Sequence, residues 1–107
     1  MSDISGFVTR IDTNVVVIPE DSQSSRKLLK IGFSLCPEPG SYIFSPKDDG
    51  DKYSLIERLR DEGFAFSGGA GWSPSEVVDY ARDQGYVSGK FLRVTWFSQG
   101  SRNIEYF

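Results

Sequence analysis

The chain contains no histidine and only one cysteine among its 107 residues. The absence of histidine excludes serine–histidine–aspartate and cysteine–histidine triads, zinc sites that use an imidazole, and imidazole acid–base catalysis near neutral pH. A single cysteine, Cys36, excludes an internal disulfide, which fits a reducing compartment. Because no basic residue stands beside Cys36 to stabilise a thiolate, we interpret it as a buried structural thiol.

Long apolar runs are absent as well. The longest unbroken aliphatic run is Val15–Ile18, whereas a membrane-spanning helix needs about 20 residues. The first residues, Met1–Ile4, do not show the basic stretch followed by an apolar one that a secretory signal requires. We therefore expect a cytoplasmic protein without membrane contact. The length predicts one domain over residues 1–107 with a single core.

Charge is unevenly distributed along this chain of net charge −3. Residues 48–85 carry nine acidic and four basic side chains, a sum of −5, whereas residues 1–47 are neutral and residues 86–107 sum to +2. An acidic middle repels a phosphate backbone and attracts a basic partner, although a solvated helical face is the alternative interpretation. The acids that we predict to bind a partner are Asp48, Asp49, Asp51, Asp61, Glu62, Asp79 and Asp83.

The N-terminal half is predicted to consist of strands. Two β-rich runs, 5–11 and 14–18, are followed by a polar loop at 22–25. The alternation of apolar residues over 29–35 predicts a third strand, and Tyr42–Phe44 a fourth. Four consecutive strands without helices favour an antiparallel meander.

Helical spacing begins after Pro46. Apolar positions 55, 56 and 59 predict a helix that starts at a capping box of Ser54 and Glu57 and ends at Gly63. A second helix, with apolar positions 77, 78 and 81, ends at Gly85. Together with a C-terminal hairpin, these elements predict an α+β fold: an antiparallel sheet of about five to six strands with two helices packed on one face.

The glycine-rich stretch Gly68–Gly71 precedes the second helix, where some proteins bind phosphate. A dinucleotide fingerprint would need glycine at the position of Pro74, and residues 61–81 contain neither the lysine nor the arginine that a P-loop needs. Ser73 and Glu76 instead form a predicted capping box that occupies the helix start. The stretch is therefore predicted to form a sharp bend that leads into the helix, and to bind no cofactor.

The cluster Asp48-Asp49-Gly50-Asp51 has the carboxylates that Mg²⁺ or Ca²⁺ prefers. It does not fit a calcium-binding EF-hand loop, because Gly50 in the sixth position places Ser45 first and Ile56 twelfth. We predict a solvated turn and no bound metal. A metal-dependent hydrolase that uses Asp48–Asp51 remains the third functional hypothesis.

The C-terminal hairpin is predicted from strands over 90–97 and 102–107 around a turn at 98–101. If Leu92 and its alternate neighbours face the core, then Phe91, Arg93 and Phe97 face a partner, and aromatics and arginine dominate interface hot spots. A helix covering that side is the alternative. The free edge of the last strand could also support a homo-oligomer.

We therefore expect a non-enzymatic, cytoplasmic, protein-binding domain, most plausibly a small acidic inhibitor or neutraliser that blocks a basic site on a partner protein. Immunity proteins, antitoxins and phage anti-defence proteins share this size and charge, which is an analogy only. The second hypothesis is an RNA- or DNA-binding module built on the hairpin, with Lys90, Phe91, Arg93, Phe97 and Arg102 as its contacts.

Overall fold

The structure, a computed structural model, describes residues 4–35, 40–68, 73–96 and 102–107, and for Trp96 and Arg102 the backbone only. The elements in chain order are β1 (Gly6–Ile11), β2 (Val15–Pro19), α1 (Ser22–Ile31), β3 (Ser34–Leu35), β4 (Tyr42–Phe44), α2 (Asp49–Asp61), β5 (Phe64–Ser67), α3 (Pro74–Asp83), β6 (Leu92–Trp96) and β7 (Arg102–Tyr106). Cys36 and the turn predicted at 98–101 lie outside the described residues.

Within the described ranges, the strands form one sheet in the order β3-β4-β2-β1-β5-β6-β7. Most neighbours are antiparallel, but β5 lies between β1 and β6 and runs parallel to both. Helix α2 leads into β5 and α3 leads out of it, which gives the long connections that parallel neighbours require. The α+β class is confirmed. The prediction of a purely antiparallel sheet of five to six strands is wrong, because a strand over 64–67 was not assigned.

A helix occupies the segment where a polar loop and a strand were predicted. Helix α1 starts after Asp21, whose carboxylate accepts the backbone N–H of Ser24 at 2.8 Å. It ends at Gly32, whose φ of +121° favours glycine. Ser24 and Leu28, four residues apart, are buried while Leu29 is 54% exposed, so burial follows the turns of a helix. Of the strand predicted over 29–35, only Ser34–Leu35 is a strand, because the helix that starts after Asp21 continues to Ile31.

All three described helices pack on the same face of the sheet. One core cluster joins Leu28 of α1, Leu59 of α2 and Val78 of α3 to Val8 and Phe66 of the central strands. These residues are almost completely removed from solvent, and burial of apolar surface is the main favourable term in folding. The prediction that helices cover one face is confirmed in outline, with three helices where two were expected.

The opposite side of the sheet has its own smaller apolar cluster. Phe7, Ala65 and Val94 are buried there, with Leu92 and Ile104 partly buried against them. These five residues define the open face, over which the described residues place no helix. The predicted C-terminal hairpin is confirmed as β6 paired with β7, and β1 also pairs antiparallel with β2. The predicted meander of four consecutive strands is wrong, because α1 follows β2 and β2 pairs with β4. None of the helices described is long and apolar enough to cross a membrane.

Candidate functional site

Two of the predicted acids hold the start of α2. The Asp48 carboxylate accepts the backbone N–H of Asp51 at 2.8 Å, and the Asp51 carboxylate accepts the N–H of Lys47 at 3.0 Å. These bonds satisfy N–H groups that would otherwise lack a partner at the helix start. The segment predicted to be a solvated turn is therefore the cap and first turn of a helix.

The capping box predicted for Ser54 and Glu57 is wrong, because both residues lie inside α2. The Glu57 carboxylate instead accepts the backbone N–H of Ser88 at 3.1 Å. This bond ties the loop after α3 to the side of α2. The predicted acidic segment thus supplies several structural contacts.

Helix α3 begins as predicted, with Ser73 at the N-cap and Pro74 in the first turn. The predicted box is not formed, since the Ser73 hydroxyl accepts no backbone N–H and donates to Glu76 at 3.4 Å. Residues 69–72 lie outside the described ranges. At Gly68 a Cβ would lie 2.9 Å from Cδ of Arg93, so a larger residue there would require the Arg93 side chain to shift. This contact supports the structural interpretation of the glycine-rich stretch.

Three tyrosines that are not among the predicted site residues lie near one another: Tyr53 on α2, Tyr80 on α3 and Tyr86 in the segment after α3. Tyr53 is partly buried against the core. The rings of Tyr53 and Tyr86 stack, with centroids 4.7 Å apart and planes inclined by 17°. Tyr80 lies near enough to Tyr53 to influence its pKa. Tyr80 and Tyr86 are 47% and 52% exposed. The cluster is therefore a preformed aromatic surface open to solvent.

Exposed acids surround this aromatic cluster. Asp49 precedes Tyr53 by four residues on α2, and Asp79 and Asp83 flank Tyr80 on α3. Burial, followed by the charge of Asp49 and the two neighbouring tyrosines, raises the pKa of Tyr53 above its ordinary value of 10.0. We call the following set the acid–tyrosine surface: Asp49, Tyr53, Asp79, Tyr80, Asp83 and Tyr86.

Arg82 lies beside the acid–tyrosine surface but is held by internal contacts. Its guanidinium donates to the backbone carbonyls of Gly89 at 3.0 Å and Phe107 at 2.8 Å. It also donates to the Asp79 carboxylate at 2.8 Å and lies 5.3 Å from the centroid of the Phe107 ring. Because the arginine is half-buried and its carboxylate partner is exposed, a partner would meet the acid first.

Two of the three basic residues of α2, Lys52 and Arg60, are arranged in the same way, whereas Arg58 is exposed. Arg60 donates to the backbone carbonyl of Ser88 and, at 3.0 Å, to the carboxylate of Asp61. Lys52, which is largely buried, lies 3.9 Å from the exposed carboxylate of Asp49. Although Arg58 is exposed, the net charge of −5 over residues 48–85 favours a negative potential on this part of the molecule.

Two open recesses border the acid–tyrosine surface. The first, of about 450 Å³, is lined by Asp12, Thr13, Pro46, Asp48, Asp49 and Lys52. The second, of about 480 Å³, is lined by Asp79, Tyr80, Arg82 and Asp83. Both contain carboxylates at their walls. They suit the insertion of lysine or arginine side chains from a basic partner.

Two further predicted acids lie away from this surface. Asp61 ends α2 and Glu62 is its C-cap, about 18 Å along the helix from Asp49 at the ordinary rise per residue. The backbone carbonyl of Glu62 accepts the hydroxyl of Ser5 at 2.7 Å. The structure therefore gathers Asp49, Asp79 and Asp83 with the tyrosines and separates Asp61 and Glu62 from them.

The hairpin does not provide the surface that its alternation suggested. Phe91 is fully buried in the core, where its ring meets Phe66 edge to face with centroids 5.5 Å apart. The prediction that Phe91 faces a partner is wrong, because the helices cover that side of the sheet. Arg93 pairs with Glu105 at 2.7 Å and lies over the ring of Phe107. Phe97 lies outside the described residues.

Over the described ranges, no three acidic, histidine or cysteine side chains lie close enough together to hold a metal ion. The engagement of Asp48 and Asp51 in the helix cap explains why these neighbouring carboxylates do not converge.

None of the three tyrosines is among the residues that the sequence predicted to bind a partner. A usable signal was present: Tyr80 stands between Asp79 and Asp83, opposite the apolar stripe at positions 77, 78 and 81. An aromatic residue on the polar side of an amphipathic helix faces solvent or a partner. The contact between Tyr53 and Tyr86 could not be found in this way, since it joins segments 33 residues apart in number (86 − 53).

Comparison of the chain with protein-family models, with curated proteins and with solved structures finds no match. The functional interpretation therefore rests on the chain's own residues.

Proposed function

We propose that the protein is a non-enzymatic, cytoplasmic inhibitor or neutraliser that uses its acid–tyrosine surface to block a basic site on another protein. The observation that carries this proposal is the stacked pair of Tyr53 and Tyr86, beside an exposed Tyr80 and framed by exposed acids.

Tyrosine suits such a role because it offers a large contact area and a hydroxyl while losing little conformational freedom on binding. Stacking of Tyr53 on Tyr86 fixes both rings before a partner arrives. A preordered surface loses less entropy on association than a flexible one. We expect Tyr80 and Tyr86 to be the main anchors, since they are the most exposed of the three.

The acids would act mainly on the rate of encounter. Asp49, Asp79 and Asp83 create a negative field that attracts a basic partner over about 8 Å at physiological ionic strength. Association should therefore slow as salt rises. Blocking by occupation of a basic site requires no chemistry from the protein itself.

The test begins with capture of partners from a native lysate, with and without nuclease treatment, and continues with binding kinetics on the purified partner. We expect Tyr80→Ala and Tyr86→Ala to raise the dissociation rate by about tenfold or more, as removal of a hot-spot residue does. Leu29→Ala is the matched control, because Leu29 is equally exposed but lies on α1.

The charge test uses the triple variant Asp49→Asn, Asp79→Asn, Asp83→Asn, with Asp61→Asn as its control at the far end of α2. The triple variant should lower the association rate and its salt dependence, whereas the control should leave both nearly unchanged. Capture that is unaffected by the tyrosine and aspartate variants would refute the proposal. Capture that disappears with nuclease and weakens in Arg93→Ala would favour the nucleic-acid hypothesis.

A further inference from the structure

The last strand, β7, forms one edge of the sheet, and its pairing shows which backbone groups point outward. Phe91 and Phe107 exchange backbone hydrogen bonds, at 3.2 Å and 2.9 Å. Bonded and non-bonded pairs alternate along an antiparallel ladder, so the next bonded pair is Arg93 with Glu105. The backbone N–H and C=O groups of Ile104 therefore point away from β6.

The two edges of the sheet differ in their readiness to pair. The edge strand β3 has only two residues, and the sequence places Pro37 and Pro39 directly after it. Short strands and nearby prolines protect an edge against pairing. Strand β7 has five residues, an uninterrupted register with β6 and no proline. It is therefore the edge that offers a regular row of backbone donors and acceptors.

We propose that two copies of the chain associate through antiparallel pairing of β7 with β7 of the second copy, around a two-fold axis at Ile104. This register pairs all five residues of each strand and forms about six backbone hydrogen bonds, from the outward groups at positions 102, 104 and 106. The result is a continuous sheet across both copies.

The side chains favour this register over its neighbours. An axis at Ile104 places Asn103 opposite Glu105 of the second copy, so acids do not face each other. An axis one residue later would place Glu105 opposite Glu105 of the second copy, and like charges directly opposite are destabilising. An axis one residue earlier would leave Glu105 and Tyr106 beyond the end of the described partner strand. Charge and strand length thus select the axis at Ile104.

The same register joins the apolar surfaces of the two copies. Ile104 belongs to the open face and would lie beside Ile104 of the second copy, with Cα atoms about 5.5 Å apart. Tyr106, on the same side of the strand, is 70% exposed and lies diagonally across from that isoleucine. None of the residues of this contact belongs to the acid–tyrosine surface, so the inference does not rest on the proposed function.

The test measures the mass of the purified chain in solution by sedimentation or light scattering over a range of concentrations. Ile104→Pro removes one outward N–H from each copy without removing a bond between β6 and β7. We expect it to weaken dimerisation by about tenfold to a hundredfold, which corresponds to the loss of two backbone hydrogen bonds. Ile104→Val, which keeps the N–H, should leave the dimer nearly intact.

Ile104→Lys is a second variant in case proline disturbs the fold, because it places two lysines on the axis and should also produce monomers. Circular dichroism and thermal melting check that each variant is folded. Amide hydrogen exchange adds a direct readout: the Ile104 and Tyr106 amides should be protected in the dimer and exchange faster on dilution. A wild-type chain that stays monomeric at millimolar concentration overturns the proposal, as does a dimer that survives in both the proline and the lysine variants.

Discussion

The C-terminal hairpin and the acid–tyrosine surface have similar compositions but opposite positions in the fold. Each contains aromatic rings beside charged side chains. In the hairpin, Phe91 is buried and Arg93 is paired with Glu105. Tyr80 on α3 and Tyr86 in the segment after α3 are about half exposed, and the carboxylates of Asp79 and Asp83 face solvent.

The difference shows what each kind of periodicity can decide. Alternation in a strand divides its residues between two faces, but it does not tell which face the helices cover. An amphipathic helix on a sheet has only one apolar side, so its polar side must face outward. Aromatic residues on the polar side of a helix are therefore better candidates for binding than aromatics in a strand.

The largest expected effect is on the free energy of unfolding, when one ring from each region is replaced by alanine. Phe91→Ala should lower the free energy of unfolding by about 3–5 kcal/mol, because it removes a fully buried ring and leaves a cavity. Tyr86→Ala should change it by about 1 kcal/mol or less, since the ring is half exposed and loses mainly its stack on Tyr53. Urea denaturation measures both values.

If Phe91→Ala is too unstable to purify, Phe91→Leu replaces it. This variant should lower the free energy of unfolding by clearly less than Phe91→Ala, because leucine fills part of the space of the ring. Equal losses for Phe91→Ala and Tyr86→Ala would contradict the comparison between the two regions. It would mean that the hairpin ring is not part of the core.

The class of fold and the C-terminal ends of α2 and α3 could be predicted from the sequence, because a helix end at glycine depends on local chemistry. The segments 55–64 and 77–86 share an arginine, an aspartate and a glycine at the same places. In the structure, Gly63 and Gly85 have φ of +90° and +80°, and each donates its N–H three residues back, to Arg60 and Arg82. Glycine is the residue that adopts this conformation without strain.

The parallel centre of the sheet could not be predicted in the same way. Strand β5 is short, and its neighbours β1 and β6 are distant in sequence. Its residues Phe64, Ala65 and Phe66 are all buried because both faces of the sheet are apolar at this point, so no alternation marks them. The acids of the site were found from charge alone, whereas the tyrosine cluster depends on tertiary contact between α2 and the segment after α3.

The caps of the two helices that carry the acid–tyrosine surface provide a smaller comparison. Asp48→Ala should lower the free energy of unfolding by about 1 kcal/mol, because the Asp48 carboxylate accepts a backbone N–H at the start of α2. Ser73→Ala should cost less than about 0.5 kcal/mol, because the hydroxyl makes no such bond at the start of α3. Thermal or urea unfolding of both variants measures the difference. A loss of about 1 kcal/mol in Ser73→Ala would show that the Ser73 hydroxyl accepts a backbone N–H of α3 in solution.

The smallest expected effect is a pH dependence of stability that arises from Tyr53 in the acid–tyrosine surface. The pKa of Tyr53 is raised above 10.0, first by burial and then by the charge of Asp49, so the folded chain holds this proton more tightly than the unfolded chain. The resulting stabilisation is fully present below pH 10.0 and is lost as the pH rises through the folded pKa. Tyr53→Phe should therefore lose stability less steeply than the wild type in this alkaline range, as measured by urea denaturation. Asp49→Asn removes the second-largest cause, after burial and ahead of Tyr80 and Tyr86, and should move the tyrosinate absorbance of Tyr53 part of the way towards lower pH. A titration that Asp49→Asn does not change would contradict the contribution of the Asp49 charge to the pKa of Tyr53.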